Sequence, residues 1–510
     1  MTKRRALLSV WSKEGLVPFA RELQELGWDL VSSSGTAKAL VDGGLTVTEV
    51  TELTGFPPML GGRVKTLHPA IAGGILARRH VPVDREDVER FSIPLLDMVV
   101  CTLYPFEEKA LQGEPLEVLL EHIDIGGVTL LRAAAKNFPH VVVVTDPGDY
   151  PLVLEELRTR GDVTLPTRQR LALRAFSATA IYDATIEEGL RSAMGLPRPS
   201  PEVPLLVRPM HRVQELRYGE NPHQLAGLFL SPLERAPWKI LGGKSLSYNN
   251  ILDLDTALRG MELFSDAPSC ILVKHCTPCG IAQGSSGLEA LERSWACDPV
   301  SAYGGIAGFS REVDAKTCEE LGERFLEIVA APSFDPAGLE KLKNRRPSLR
   351  LVQWPGKHSD SLEYRSTWSG TLVQEDRLPP IPSPSQGTWV GTPRPDLWDD
   401  LIFAWKSAAL SKSNAIVVAR EGQTLGLGRG FPNRVDAVRW ALAQAGERAL
   451  GAVLASDAFF PFADSLEEAS RGGIAAVIQP GGSVRDAEVF AVAERLGLAM
   501  FVGGGRTFRH

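Results

Sequence analysis

Short apolar runs alternate with amphipathic segments over the first 150 residues of the chain. The runs predict buried strands, and apolar positions at helical spacing between them predict helices. The predicted strands cover residues 6–10, 28–32, 98–103 and 141–145, and the predicted helices cover residues 16–26 and 36–40. Because strands separated by helices form a parallel sheet covered on both faces, the pattern predicts a doubly wound α/β domain.

Two proline-rich stretches interrupt this periodicity. Residues 191–209 are rich in proline and almost aperiodic, which is typical of a linker. We therefore place a boundary near residue 200, which gives domains 1–200 and 201–510. A second polar stretch, residues 344–395, predicts a connection and a subdomain break near 340–400. We find no repeat at the periods of solenoid proteins.

Composition and charge narrow the class of protein. The chain has 510 residues, 44% of them hydrophobic and 23% charged, which is ordinary for a globular protein of two to four domains. Its net charge is -7, without a long basic run, so we expect no nucleic-acid partner. The first apolar run breaks at Trp11, too early for a signal peptide or a membrane span. We expect a cytoplasmic protein that does not contact membranes.

Three motifs of the N-terminal half combine glycine, hydroxyls and cations. Residues 32–36 (SSSGT) follow a predicted strand and open a helix, which predicts either a phosphate cradle or a simple helix cap. Residues 61–69 (GGRVKTLHP) place two cations on a glycine-initiated loop, where the alternative is plain solvation. In residues 124–137 (DIGGVTLLRAAAKN), Arg132 and Lys136 share one helix face. The three alanines predict close packing that leaves Lys136 little contact with water.

The C-terminal half concentrates polar groups at two positions. Residues 216–224 (LRYGENPHQ) bring a cation, an aromatic ring and a histidine into a Gly/Pro turn. Lys274 and His275 follow a buried apolar run, and ligand crevices of α/β sheets open at such strand ends. A structural histidine is the alternative for His275. Residues 277–280 are predicted to turn the chain into the next element.

Cys276 and Cys279 form a C-x-x-C pair, a spacing that occurs in zinc sites and in redox-active sites. A structural zinc site commonly uses two such pairs, and the sequence has no second one. A zinc deaminase places a His-x-Glu before its Pro-Cys-x-x-Cys, which is also missing. With six cysteines in 510 residues, a disulfide framework is not indicated either. We expect no catalytic metal.

The N-terminal motifs together resemble the cyclohydrolase domain of the bifunctional purine-biosynthesis proteins. The motifs are Ser9-Val10, Ser34-Gly35-Thr36, residues 61–69, Leu103-Tyr104-Pro105-Phe106 and residues 124–137. The resemblance implies a methylglyoxal-synthase-like fold that closes a formylated carboxamide ribonucleotide to inosine monophosphate. It implies catalytic roles for Lys65, Tyr104, Asp124 and Lys136. It places around the nucleotide Lys13, Ser34, Gly35, Thr36, Arg63 and Thr66.

The C-terminal motifs resemble the formyltransferase half of the same family. They are residues 216–224, 246–253, 274–275, 298–305, 412–416, 456–462, 479–483 and 506–510. The resemblance implies tandem cytidine-deaminase-like α/β domains without zinc. It implies catalytic roles for Lys274, His275 and Asn414. It implies ligand contacts for Arg217, Tyr218, Asn250, Gly304, Arg434, Phe459 and Arg506.

On this resemblance, the chain formylates 5-aminoimidazole-4-carboxamide ribonucleotide with 10-formyltetrahydrofolate as cosubstrate, cyclises the product, and acts as a homodimer. Four residues depart from the family pattern: Trp11 replaces a small hydroxyl residue, Ala72 a histidine and Thr277 an asparagine, while Phe431 stands in a loop that has lost its usual Gln and Ser. The alternative from another class is a ligand-binding regulatory protein whose sites have degenerated.

Overall fold

The computed structural model describes residues 3–197, 199–356 and 361–510. Contacts divide the chain into two compact units. The first unit comprises Met1–His211 and Leu230–Arg235, and the second comprises Arg212–Phe229 and Ala236–His510. Arg198 of the predicted linker and residues 357–360 of the second proline-rich stretch lie outside the described residues. The domain extents 1–200 and 201–510 remain a prediction about independent folding.

The first unit alternates strands and helices as the apolar pattern predicts. Its strands are β1 (Arg5–Val10), β2 (Asp29–Ser32), β3 (Val47–Glu49), β4 (Met98–Thr102) and β5 (Val142–Val144). Its helices are α1 (Leu16–Glu25), α2 (Ser34–Asp42), α3 (Val50–Thr54), α4 (Pro69–Leu76), α5 (Pro82–Arg90), α6 (Phe106–Leu111), α7 (Leu116–Glu121), α8 (Gly126–Lys136), α9 (Tyr150–Arg160) and α10 (Leu165–Ala193).

These strands form one parallel sheet in the order β3-β2-β1-β4-β5. Leu7, Leu8, Val99 and Val143 are fully buried, because helices cover both faces of the sheet. The chain leaves β1 on one side towards β2 and returns on the other side as β4. The carboxyl ends of β1 and β4 therefore mark the switch point at which open α/β sheets bind ligands.

The second unit contains several antiparallel hairpins and two runs of parallel strands. Its strands are β6 (His211–Leu216), β7 (Ala226–Leu230), β8 (Lys239–Gly242), β9 (Ser269–Lys274), β10 (Thr277–Gln283), β11 (Ile306–Phe309), β12 (Ile328–Ala331), β13 (Arg350–Gln353), β14 (Ser361–Thr367), β15 (Gly370–Asp376), β16 (Gly387–Val390), β17 (Ile416–Arg420), β18 (Gln423–Gly428), β19 (Val453–Ser456), β20 (Ala476–Gln479) and β21 (Ala499–Gly503). Its helices are α11 (Tyr248–Leu263), α12 (Gly287–Trp295), α13 (Pro299–Ala302), α14 (Ala315–Glu323), α15 (Pro336–Arg345), α16 (Trp398–Leu410), α17 (Arg434–Ala445), α18 (Asp464–Arg471) and α19 (Asp486–Leu496).

A twelve-stranded mixed sheet contains two halves with the same strand order. One half runs β10-β9-β11-β12-β13-β8 and the other runs β18-β17-β19-β20-β21-β16, joined by antiparallel pairing of β10 with β18. In each half an antiparallel hairpin is followed by parallel strands and an antiparallel edge strand. This arrangement agrees with the expected tandem α/β domains, but the two domains share one continuous sheet.

Three sequence predictions about local structure are wrong. Residues 277–280 belong to strand β10, and the turn lies one step earlier, at His275 and Cys276. Lys136 is exposed, because it is the last residue of α8 and the buried alanines face the sheet. The stretch 344–395 is not a plain connection, since β13, the β14–β15 hairpin and β16 lie in it. Among the described residues, no helix is long and apolar enough to cross a membrane.

Candidate active sites

The loops after β1 and β4 meet at the switch point of the first sheet. The backbone N–H of Trp11 donates to Thr102 Oγ1 at 2.8 Å. The indole of Trp11 lies over Tyr104 with ring centroids 5.4 Å apart, and it also contacts the ring of His122 edge-on. The departure from the family pattern at position 11 therefore adds an aromatic contact to Tyr104.

Lys13 and the start of α2 form the cationic side of this site. Lys13 Nζ donates to Thr36 Oγ1 at 3.1 Å and also to the carbonyls of Val10 and Trp11. Partial burial lowers the pKa of Lys13. No side chain within the described residues caps α2 at its N-cap, Ser33, so the first N–H groups of this helix remain available to an anion.

Asp124, which precedes α8, is a buried carboxylate at the switch point of the first sheet. It is 9% exposed, and Oδ1 accepts the N–H of Gly127 at 2.7 Å. Burial raises the pKa of Asp124, and hydrogen bonds from the Gly127 and Tyr104 N–H groups partly offset this effect. Burial and the negative charge of Asp124 raise the pKa of Tyr104 in turn. Both side chains therefore favour their protonated forms more than they do in water.

The loop at residues 61–69 packs against the start of α8. A Cβ atom at Gly126 would lie 2.8 Å from Thr66 Oγ1, so glycine is needed there for close approach. Arg63 on this loop pairs with Glu121 and is exposed. Lys136 ends α8, which at 1.5 Å per residue places it about 15 Å along the helix from Gly126. The structure brings together Lys13, Thr36, Thr66, Tyr104 and Asp124, whereas Lys136 stands at the other end of α8 from Gly126.

Sequence reasoning missed Tyr182 on α10. Its hydroxyl accepts the backbone N–H of Asp124 at 2.9 Å and donates to the carbonyl of His122 at 3.0 Å. Burial raises the pKa of Tyr182 to about 12, so the phenol stays protonated as a donor. Since 58 residues separate Tyr182 from Asp124, no local motif could have indicated this contact.

We predict that Trp11→Ser weakens nucleotide binding to the first unit by about fivefold, the factor that corresponds to the loss of an aromatic contact of roughly 1 kcal/mol. The indole covers Tyr104 while remaining half-exposed, as a packed lid does. Calorimetric titration with inosine monophosphate measures the change. Trp368→Ser, on the β14–β15 hairpin, is the matched control. Tighter binding by Trp11→Ser would show that the indole obstructs the site instead.

In the second unit, Lys274 and His275 lie at the turn of the β9–β10 hairpin. Lys274 is the last residue of β9, and its Nζ donates to the carbonyl of Tyr303 at 2.8 Å. His275 and Cys276 both have positive φ, 56° and 60°. Two positive φ values in a two-residue hairpin turn define the type I′ geometry. His275 is exposed, so its imidazole is accessible to a substrate.

Asn414 is held by a buried polar network. Its Nδ2 donates to the carbonyl of Phe431 at 2.9 Å, and its Oδ1 accepts from Arg434 at 2.6 Å. Arg434 is 7% exposed and also binds Ser456 and the fully buried carboxylate of Asp457. The guanidinium therefore fixes the amide of Asn414. A direct ligand contact by Arg434 stays a prediction.

The hairpin turn and the Asn414 network are neighbours. Thr256 Oγ1 donates to the carbonyl of Cys276 and accepts a hydrogen bond from Arg509 at 3.1 Å. The N–H of Ser413 donates to the carbonyl of Arg509 at 2.9 Å, which ties the C-terminal segment to the same place. The structure thus brings the Lys274–His275 turn, residues 412–414 and the C-terminal segment together within the second unit.

The remaining expected ligand residues of the second unit have varied surroundings. Asn250 is buried, caps α11 and donates to Glu327 at 2.8 Å, so its amide has protein partners on both sides. Gly304 follows Tyr303 at φ 74°, a conformation that favours glycine. The other four are Arg217 over the ring of Tyr218, the half-buried Phe459, and Arg506 over the ring of Phe508.

We predict that Asp457→Ala destabilises the second unit by about 3–5 kcal/mol, because it leaves the buried guanidinium of Arg434 without its counter-ion. Formyl transfer should also slow, because Arg434 then no longer holds the amide of Asn414 in place. Thermal unfolding monitored by calorimetry measures the loss of stability. Asp436→Ala, which removes a solvent-accessible aspartate from α17, is the control. A transition unchanged from the parent would contradict the assigned role of this ion pair.

Cys276 and Cys279 have different surroundings. Cys276 lies in the hairpin turn, while Cys279 is buried in β10, where burial raises the pKa of its thiol to about 12. Among residues 3–197, 199–356 and 361–510, no group of three or more His, Cys, Asp or Glu side chains is arranged to hold a metal ion.

Comparisons with known proteins cover the whole chain. A family model described as "AICARFT/IMPCHase bienzyme" matches residues 134–444, and one described as "MGS-like domain" matches residues 15–129. The "Bifunctional purine biosynthesis protein PurH" of Aquifex aeolicus (strain VF5) is 45% identical over 512 residues, covering 99% of this chain and 100% of the relative. The proteins of the same description from Persephonella marina and Streptococcus suis (strain 05ZYH33) are 43% and 44% identical, over 99% and 100% of this chain and the full length of each relative.

These matches confirm the resemblance inferred from the motifs and the two-part α/β fold. They also decide against a degenerate regulatory protein, because the chain retains both enzymatic parts at full length. The chain belongs to the family of bifunctional purine biosynthesis enzymes that combine AICAR formyltransferase with IMP cyclohydrolase and catalyse the final two steps of purine synthesis.

Proposed function

We propose that the two activities are divided between the two units, with cyclisation in the first and formyl transfer in the second. The observation that carries this division is the existence of two separate polar constellations. One consists of Lys13, Tyr104 and Asp124 at the switch point of the first sheet. The other consists of the Lys274–His275 turn beside the network around Asn414.

In the first unit, ring closure joins a carboxamide nitrogen to the formyl carbon and then releases water. The nitrogen is a weak nucleophile, so the reaction benefits from groups that remove and return protons. The buried Asp124 and the partly exposed Tyr104 both have a raised pKa, which suits them to carry a proton during the reaction. Lys13 and the free N–H groups of α2 are suited to bind the phosphate of the nucleotide.

In the second unit, the amino group of 5-aminoimidazole-4-carboxamide ribonucleotide attacks the formyl carbon of 10-formyltetrahydrofolate. His275 accepts the amine proton as the new C–N bond forms. Lys274, at the base of the same turn, stabilises negative charge on the formyl oxygen. The formyl C–N bond then breaks, and the folate nitrogen leaves with a proton. His275 is exposed and directly follows Lys274 in the chain, which supports these assignments.

The family resemblance supports three further proposals. Lys65, Lys136 and Asn414 take part in the chemistry. The other residues that the motifs indicate contact the substrates. The chain functions as a homodimer, which sedimentation analysis tests through a mass twice the 55.4 kDa of one chain. It works in the cytoplasm without a catalytic metal, and metal analysis of the active preparation tests the latter.

We predict that the first unit catalyses cyclisation on its own, provided that residues 230–235 are included. In this segment Ser231 Oγ donates to Glu188 on α10 at 2.7 Å, so the segment belongs to the core structure of the unit. A fragment of residues 1–236 should cyclise pre-formylated substrate at about the parent rate, and a fragment of residues 1–200 should unfold at a lower temperature. A folded but inactive 1–236 fragment would contradict the proposed division.

A further inference from the structure

The hairpin turn that carries His275 adopts an unfavourable backbone conformation. Both His275 and Cys276 lie in the left-handed region, which residues with a Cβ atom rarely occupy. Glycine and asparagine are the usual residues in such a turn. A conformation of this kind persists only when the surrounding structure holds it.

Helix α11 holds this turn by two side chains that lie three residues apart. Asp253 Oδ1 accepts the backbone N–H of Cys276 at 2.6 Å. Thr256 Oγ1 donates to the carbonyl of Cys276 at 3.4 Å, and Arg509 donates to Thr256 Oγ1 at 3.1 Å. Both polar backbone groups of Cys276 are therefore directed by α11.

The imidazole of His275 has no comparable support. It is exposed, and within the described part of the chain no hydrogen bond restrains it. Its direction therefore depends on the backbone of the turn. Because a misplacement of about 1 Å at a reacting group costs roughly a hundredfold in rate, the fixation of this backbone matters for catalysis.

We propose that Asp253 is a positioning residue for formyl transfer, which holds the left-handed turn at Cys276 and thereby orients His275. This inference rests on the proposed role of His275. Asp253 acts on the backbone N–H and does not exchange protons with the substrate. Its essential property is therefore an acceptor oxygen at this position, and its negative charge is secondary.

Three variants of the full-length protein separate positioning from direct chemistry. Asp253→Ala removes the acceptor and should lower kcat of formyl transfer by about 10- to 100-fold, with KM for the nucleotide nearly unchanged. Asp253→Asn keeps an acceptor oxygen without charge and should stay within about fivefold of the parent. Asp253→Ala combined with Cys276→Gly should recover at least part of the lost kcat, since glycine adopts the left-handed conformation without steric conflict.

Cys276→Gly alone shows the effect of the glycine on kcat in the presence of Asp253. Glu292→Ala, at an exposed position of α12, is the control for loss of an acidic side chain. The inference is wrong if Asp253→Ala keeps the parent rate, if Asp253→Asn is as slow as Asp253→Ala, or if the double variant folds and recovers nothing. Should Asp253→Ala not fold, the Asp253→Asn rate and the Thr256→Val variant, which releases the carbonyl of Cys276, still decide between the two roles. His275→Ala in the same series identifies failure of the proposed function itself, because that variant would then retain transfer.

Discussion

His275→Ala is expected to lower the rate of formyl transfer by about a hundred- to ten-thousandfold, the usual contribution of a general base. Cyclisation of pre-formylated substrate by the same preparation should remain at the parent rate. The side chain is exposed at the hairpin turn, so its removal neither opens a cavity in the core nor disturbs the sheet. The loss of rate should therefore occur without a comparable loss of stability.

The measurement is the formyl-transfer rate at saturating nucleotide and 10-formyltetrahydrofolate, beside the cyclisation rate. His80→Ala, at an exposed histidine of the first unit that neither proposed site uses, serves as a second histidine variant for comparison. If His275→Ala stays within a few-fold of the parent, His275 is a structural residue and the assignment of the general base is wrong.

Asp124→Asn is expected to show the reverse pattern, with cyclisation slowed by about a hundred- to ten-thousandfold and formyl transfer unchanged. The amide can still accept the N–H of Gly127 through its oxygen, so the start of α8 keeps its geometry. The variant loses only the proton-carrying ability that the raised pKa values of Asp124 and Tyr104 support. Equal loss of both activities would indicate a structural defect instead.

The difference in stability between Asp124→Asn and the parent should depend on pH. Because burial raises the pKa of Asp124 above its unfolded value, the protonated form is favoured in the fold. This contribution is fully present below the unfolded pKa and is lost as the pH rises through the folded pKa. Relative to the parent, Asp124→Asn should therefore gain thermal stability as the pH rises above the unfolded pKa of an aspartate, about 4. A constant or falling difference would show that the carboxylate is not destabilised by burial.

The sequence predicts the first sheet well because its strands carry continuous apolar runs that are buried on both faces. Residues 98–103 and 141–145 differ from the observed β4 and β5 only at their ends. The sequence wrongly predicts a turn at residues 277–280 because Pro278 and Gly280 usually break strands. In β10 the register shifts between these two residues, and a Cβ at Gly280 would lie 2.0 Å from the carbonyl of Ser294. Glycine is required there by close packing against α12.

The site was predictable only as far as its residues lie in local motifs. Lys274, His275 and Asn414 stand in short, dense polar segments, and their placement in one unit agrees with those segments. Tyr182 and Asp253 act through backbone contacts that span 58 and 23 residues, which no spacing rule indicates. The equal strand order of the two halves of the large sheet is likewise a three-dimensional property that leaves no periodic sequence signal.

The proposed division assigns the two reactions to two separate sets of residues. The most direct test mixes equal amounts of His275→Ala and Asp124→Asn and follows formation of inosine monophosphate from the carboxamide ribonucleotide and 10-formyltetrahydrofolate. Each variant alone should form almost no product, and the mixture should form it at a rate far above either one, because the formylated intermediate passes from one protein molecule to the other. A mixture no faster than its more active component, although each variant retains its own partial reaction, would contradict this division.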